Sequence, residues 1–236
     1  MPKYNRILLK LSGEALSKEA DGILNFDFIA EVAASVKRCA EEGVKIAVVV
    51  GGGNIWRGKT GTQISRTRSD HIGMLATVIN SLALATGFEN AGLSAKVMTA
   101  IPMQQIAEPY VRDRAMEYLD EGKIVIVACG SGNPFFSTDT AAILRAVELC
   151  ADAALFAKNI DAVYTADPKK DPTAKKLDHI SYDDILKNDL TVIDSTAAAM
   201  GRENDLSLLL FGLNDPENIL RIVNGEKLGT IVNNER

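Results

Sequence analysis

Residues 44–53 read Val44-Lys45-Ile46-Ala47-Val48-Val49-Val50-Gly51-Gly52-Gly53. The first part is apolar except at Lys45, the composition of a β-strand covered on both faces. Three consecutive glycines then lose backbone entropy and pack no side chain, so something must come close to the main chain where the strand ends. A buried strand opening into a glycine loop is the unit from which open parallel α/β sheets place ligands beyond their strand ends.

Working outward from it, residues 29–40 carry Ile29, Val32, Ala33, Val36 and Ala40 at three- and four-residue steps, a helix that Gly43 terminates. Before that helix, residues 6–11 form a first strand. After the glycines and a polar stretch, the pattern predicts a helix over 72–85, strands over 95–99 and 123–128, and a helix over 112–121. It continues with a helix over 138–150, a strand over 153–157 and a loop over 161–176. Helices near 195–202 and 216–223 and strands over 207–211 and 230–232 complete the chain. Alternating strands and helices without a repeat or low-complexity linker predict one α/β domain around a mainly parallel sheet.

The 236 residues suit one or two domains. Their 47% hydrophobic and 24% charged content is that of a globular chain rather than a disordered one. The net charge of -5, with basic and acidic residues interleaved, argues against a nucleic-acid surface but leaves room for a small anion held by a few local cations. Cys39, Cys129 and Cys150 are far apart in apolar stretches, so core thiols are expected rather than a disulfide framework or zinc site. No apolar leader follows Met1 and no uninterrupted apolar run spans a bilayer; a cytoplasmic, membrane-free protein is expected. With only His71 and His179, a histidine-dependent mechanism is not expected, and His71 reads as a structural residue near a helix start.

Four loops carry the candidate chemistry. In Lys10-Leu11-Ser12-Gly13-Glu14 a lysine can reach a phosphate while Ser12 and Gly13 let backbone N–H groups approach; the alternative is a strand-edge lysine before a plain turn. Gly51-Gly52-Gly53-Asn54, with Trp56 and Arg57 behind it, offers a glycine cradle and a fork-shaped donor, or else a wide turn and a surface arginine. Gly53 to Thr60 also fits the Walker A expression. Residues 61–69 lack the apolar periodicity of the helix that must follow, so the match reads as chance. The third loop, Gly130-Ser131-Gly132-Asn133-Pro134-Phe135-Phe136-Ser137-Thr138-Asp139, could bind a planar base and a sugar phosphate, or be a capped helix with two core aromatics. The fourth, with Lys158, Asn159, Asp161, Tyr164 and Asp167-Pro168, could frame an adenine or simply turn.

Leu8 to Leu16, Gly51 to Gly58, Asp70-His71-Ile72-Gly73-Met74-Leu75-Ala76-Thr77, Gly132 to Thr138 and the segment from Tyr164 together resemble the bacterial uridylate kinases of the amino acid kinase superfamily. The first two stretches mark the superfamily, while Asp70-His71 with Asn133-Pro134-Phe135-Phe136 is particular to the UMP enzymes. The resemblance implies a three-layer α/β/α sandwich, one domain over 1–236 with UMP toward its N-terminal part and ATP toward its C-terminal part, and Mg²⁺ arriving with ATP. It also implies a homohexamer with UTP as feedback inhibitor.

Carried over by position, Lys10, Arg57 and Asp139 are the catalytic residues, Asp139 orienting the phosphate-binding lysines. Lys10, Ser12, Gly13, Glu14, Gly53, Arg57, Asn159, Tyr164 and Asp167 meet ATP, with Lys158 as an alternative to Asn159. Gly52, Asp70, Ser131, Gly132, Asn133, Pro134, Phe135, Phe136, Ser137 and Thr138 hold UMP, Asp70 accepting from a ribose hydroxyl. Residues 20–26 depart from the segment tied to GTP activation in relatives. Two other readings are a carboxylate or carbamate kinase of the superfamily, and a non-catalytic nucleotide sensor on the same fold.

Overall fold

The computed structural model of the chain describes residues 1–17, 22–57, 64–166, 171 and 173–234. Its strands are β1 (Arg6–Leu11), β2 (Lys45–Val50), β3 (Ala95–Thr99), β4 (Glu108–Pro109), β5 (Ile124–Ala128), β6 (Ala153–Lys158), β7 (Val163–Tyr164), β8 (Lys176–Leu177), β9 (His179–Ser181), β10 (Ser207–Gly212) and β11 (Thr230–Asn233). The helices are α1 (Phe26–Glu41), α2 (Arg66–Asn90), α3 (Arg112–Asp120), α4 (Thr138–Glu148), α5 (Tyr182–Lys187), α6 (Ser195–Glu203) and α7 (Asn218–Val223).

Nine strands form one sheet in the order β4-β3-β5-β2-β1-β6-β10-β11-β9, parallel throughout except between β10 and β11. Period-two alternation sorts its side chains into two cores. Ile7, Leu9 and Leu11 of β1 pack toward α1, α2 and α7, whereas Leu8 faces α3, α4, α5 and α6. The molecule is thus a three-layer α/β/α sandwich, and its triglycine strand, β2, lies directly beside the central strand β1. The left-handed Gly43, at φ 88°, ends the turn after α1 as its position predicts.

Most predicted elements are present, and the differences have local causes. α2 begins at Arg66 rather than near Ile72, because Ser65 caps it by accepting from Arg68 N–H and the polar first turn faces the site instead of the core. The predicted loop over 161–176 contains a two-stranded ribbon of β7 and β8. β9, α5 and a 3-10 turn over Gly13–Ser17 are further additions. Cys39 and Cys129 are buried as expected, but Cys150 is exposed, since it occupies a left-handed turn at φ 51° after α4. α2 is long and apolar enough to cross a membrane, yet most of its apolar window is buried within the fold, as in a core helix.

Candidate functional site

Leu8 and Phe156 lie in the same core layer, and β1 and β6 are in register with Lys10 opposite Phe156. Side chains two residues on share a face, so Lys10 and Lys158 emerge together on the α4 side at the carboxyl ends of adjacent strands. Each ammonium stands 5.8 Å from the Phe156 ring centroid. Ser137 caps α4 by accepting from Thr140 N–H at 3.1 Å, and this places Asp139 in the helix's first turn between the two lysines. Lys10 Nζ is 3.0 Å from Asp139 Oδ1 and Lys158 Nζ is 2.8 Å from Asp139 Oδ2. Lys158 also donates to the Val192 carbonyl.

These three side chains are only 10%, 18% and 15% exposed for Lys10, Lys158 and Asp139, so water screens them poorly. Burial alone would raise the Asp139 pKa, but Lys10 and then Lys158 outweigh it and hold the carboxyl below its ordinary value. Burial pulls Lys158 below the usual lysine value, Asp139 opposes that, and Lys10 adds to it. Two ammoniums are thus held side by side by one shared carboxylate, with the Asp194 carboxylate also acting on Lys158, and this pre-set pair suits an incoming anion. Asp194 braces this arrangement: it caps α6 by accepting from Ala197 N–H at 2.9 Å and also accepts from the Ser137 and Thr140 hydroxyls.

The glycine loops meet beside this cluster. Gly13 lies so close to the end of β2 that a β-carbon there would run into the Gly51 carbonyl and stand 2.7 Å from Asn54 Oδ1. At Gly52 one would stand 2.8 Å from Ala76 Cβ and 2.9 Å from the Gly73 carbonyl of α2. The glycines therefore let three backbone segments converge. Asn80, fully buried on α2, donates to the Gly51 carbonyl at 2.7 Å and exchanges hydrogen bonds with Asn54, fixing that convergence. Gly13→Ala is expected to destabilise the fold by about 1–3 kcal/mol, the usual effect of overpacking a rigid site. A urea titration should show a lower midpoint at unchanged slope; an unaltered midpoint would mean the loops part more easily than this geometry implies.

Two clefts flank the cluster. One, of about 270 Å³, is bounded by Gly52 and Gly53, by Arg66, Asp70, Gly73 and Thr77 of α2, and by Gly130, Ser131, Asn133, Phe136, Ser137 and Thr138. The other, of about 570 Å³, is bounded by Glu14, Ser17, Gly53, Asn54, Arg57, Asn159 and Asn214. Gly53 belongs to both walls. Thr138 of the first cleft adjoins Asp139 in sequence, and Asn159 of the second adjoins Lys158, so the cation cluster stands close behind both clefts, although none of its three side chains is among the residues that bound either.

The structure brings most of the predicted residues together. Glu14 links Arg57, 2.7 Å from its Oε1, to Asn159, which donates to Oε2 at 3.2 Å. Asp70 accepts from Arg66 Nε at 2.9 Å and from Phe135 N–H at 2.8 Å. Phe135 and Phe136 are exposed, at 66% and 49%, rather than core residues. Phe135 takes φ 73°, which turns its N–H toward α2. Gly132 and Pro134 lie within the same turn. Ser12 lies between β1 and the 3-10 turn, adjoining Gly13. Tyr164 borders neither cleft: it donates to the Asp161 carboxylate at 3.0 Å from the ribbon. Asp167, Lys59 and Thr60 of the Walker-like match, and residues 20–21 lie outside the described residues.

Sequence reasoning passed over Arg66, Asn80 and Asp194, and left Lys158 and Asn159 as alternatives. The latter two point opposite ways from neighbouring positions at the end of β6: Lys158 to Asp139, Asn159 to Glu14. Asn80, an amide within the mainly apolar stretch 72–85, was the one visible signal among those missed.

The model of the family described as Amino acid kinase family matches residues 5–212. Among solved structures, a UMP kinase from Bacillus anthracis is 37% identical with a TM-score of 0.95, the match covering 100% of this chain and 98% of that one. A UMP kinase from Ureaplasma parvum is 31% identical at a TM-score of 0.92, covering 98% and 99%. A uridylate kinase from Archaeoglobus fulgidus is 30% identical at 0.76, covering 98% and 100%.

Proposed function

Because the chain belongs to the amino acid kinase family, we infer that its two clefts serve one reaction, ATP-dependent phosphorylation of UMP to UDP. The observation that carries this is the buried lysine–aspartate–lysine cluster at the ends of β1 and β6, beside two clefts that share the Gly53 wall. UMP occupies the cleft of Gly52, Asp70 and residues Ser131 to Thr138, with the Asp70 carboxylate accepting from a ribose hydroxyl. ATP occupies the side of Ser12, Gly13, Glu14, Gly53, Arg57 and Asn159.

An oxygen of the UMP phosphate attacks the γ-phosphorus of ATP, the bond from that phosphorus to the β,γ-bridging oxygen breaks, and ADP leaves. The attacking oxygen is already ionised at neutral pH, since the second phosphate pKa is about 6. No general base is required, and no histidine borders either cleft. The loose transition state spreads charge over the equatorial oxygens and asks mainly for position and positive charge. Lys10, Lys158, the glycine N–H groups and the amino end of α4 supply both.

Mg²⁺ enters with ATP. Among the described residues no group of three His, Cys, Asp or Glu side chains converges. That donor set fits an ion held chiefly by triphosphate oxygens and water, as Mg²⁺ commonly is; its chemistry is neutralisation of phosphate charge. The proposal extends to a homohexamer under feedback by UTP. Exposed Leu75, Ile79 and Leu82 follow one another along a face of α2, which supports contact between copies.

A coupled ADP-release assay with Mg-ATP against UMP, CMP, dUMP, aspartate and carbamate tests the reading. UMP is expected to respond strongly and the two carboxylates not at all. Turnover of aspartate or carbamate would favour an acyl-phosphate former, and tight UMP binding without ADP release would favour a sensor. A sensor has no need of a second cleft for a phosphoryl donor, and an acyl-phosphate former has none for Asp70 facing the Asn133 to Phe136 turn.

A further inference from the structure

The acceptor cleft is made by two segments remote in sequence, the start of α2 and the turn before α4. Among the described residues their direct polar link at the cleft mouth is Asp70, whose Oδ2 takes both Phe135 N–H at 2.8 Å and Arg66 Nε at 2.9 Å. Arg66 Nε stands equally 2.9 Å from Oδ1. One helical turn separates Arg66 from Asp70, so the guanidinium lies over the carboxylate by helix geometry alone. The guanidinium carbon also stands 5.7 Å from the Phe135 ring centroid, and Arg66 itself borders the cleft. Arg66 therefore touches both partners of the Asp70 to Phe135 bond.

Without such a neighbour, Asp70 could swing to water: a carboxylate in the second turn of a helix has several rotamers, and one N–H does not select among them. The Phe135 backbone is in the left-handed region, which a residue with a β-carbon leaves unless its surroundings hold it there.

We propose that Arg66 is a positioning residue for the acceptor nucleotide: it fixes the Asp70 carboxylate and, through it and the Phe135 ring, latches the Asn133 to Phe136 turn onto α2, so that the ribose meets a preset acceptor. The proposal rests on the reading of this cleft as the UMP site. Arg66 reaches no transferring phosphate in this arrangement; it lies a full turn beyond Asp70, away from Gly73 and Thr77, which face the Gly52 end. Its removal acts on acceptor binding and leaves the transfer step alone.

The test is steady-state kinetics of the parent, Arg66→Gln, Arg66→Lys and Asp70→Asn, with the Arg66→Gln/Asp70→Asn double variant, against UMP, dUMP and ATP. Arg66→Gln is expected to raise KM for UMP by about five- to twentyfold, with kcat within about threefold and KM for ATP unchanged; a charge-assisted contact that is partly exposed has this scale. Preference for UMP over dUMP should narrow, because a wandering carboxylate reads the 2′-hydroxyl poorly. Arg66→Lys keeps the charge but not the planar fork and should fall between. In the Asp70→Asn background the Arg66 change should add less than twofold, since the residue acts through that carboxylate. Arg66 has a 55% exposed side chain, so the variant should fold, and a melting curve confirms it. KM for UMP within twofold of the parent, or full additivity in the double variant, overturns the proposal. A parent that ignores UMP overturns the underlying reading instead.

Discussion

Lys10→Ala lowers kcat by about 10²- to 10³-fold, the scale of removing one preorganised donor at a developing charge, while KM for UMP stays within a few fold. The reason lies in the register. Lys10 faces the α4 layer at the carboxyl end of β1, beyond Leu8 and opposite Phe156, while Arg6 on the same face lies at the other end against the Leu149 and Cys150 carbonyls. Its ammonium is held 3.0 Å from Asp139, close behind the two clefts. Nothing mobile can replace it, because water and salt reach a 10% exposed group poorly. The contribution is made where charge accumulates during transfer, so kcat should fall rather than acceptor affinity. Steady-state rates with saturating Mg-ATP and varied UMP measure this. Equal kcat in variant and parent would remove Lys10 from the transfer site.

The layout of the sheet was legible because its signals are short-range and redundant. Val44 to Val50 is apolar on both faces, Gly43 and Gly51 bracket it, and each neighbouring strand repeats that pattern. Lys10, Gly13, Gly52 and Asp139 were legible for a related reason: glycines and charges at the carboxyl ends of buried strands have few structural uses. Arg66 and Asp194 were not legible. Each owes its role to a partner far along the chain, Phe135 for Arg66 and Ser137 for Asp194, and spacing says nothing about such pairs. Residues 61–69 look unstructured to a periodicity argument because the first turn of α2 faces the cleft and carries no apolar stripe. The same blindness made Lys158 and Asn159 look like alternatives, when a strand end sends consecutive side chains to opposite faces.

Asp139→Ala should be the most damaging single change outside the core. It leaves Lys10 and Lys158 buried side by side without their shared counter-charge. Removing one partner of a buried ionic group costs about 3–5 kcal/mol. A loss on that scale should appear as a marked fall in the urea midpoint, together with a kcat reduced by at least about 10²-fold as the two ammoniums separate. Asp139→Asn separates shape from charge, since the amide fills the same space but neither attracts the lysines nor offsets their mutual repulsion. The acid limb gives the sign. Folding depresses the Asp139 pKa, so its stabilisation is complete above the ordinary carboxylate value near 4 and is lost as pH falls through the lower folded value. The stability gap between parent and Asp139→Asn should therefore be constant at neutral pH and close only in acid. At the basic limb, Lys158 loses the attraction that opposes its burial, its pKa drops further, and the high-pH fall in kcat moves to lower pH. A gap that persists unchanged into strong acid would mean the carboxylate is not the ionised centre of the cluster.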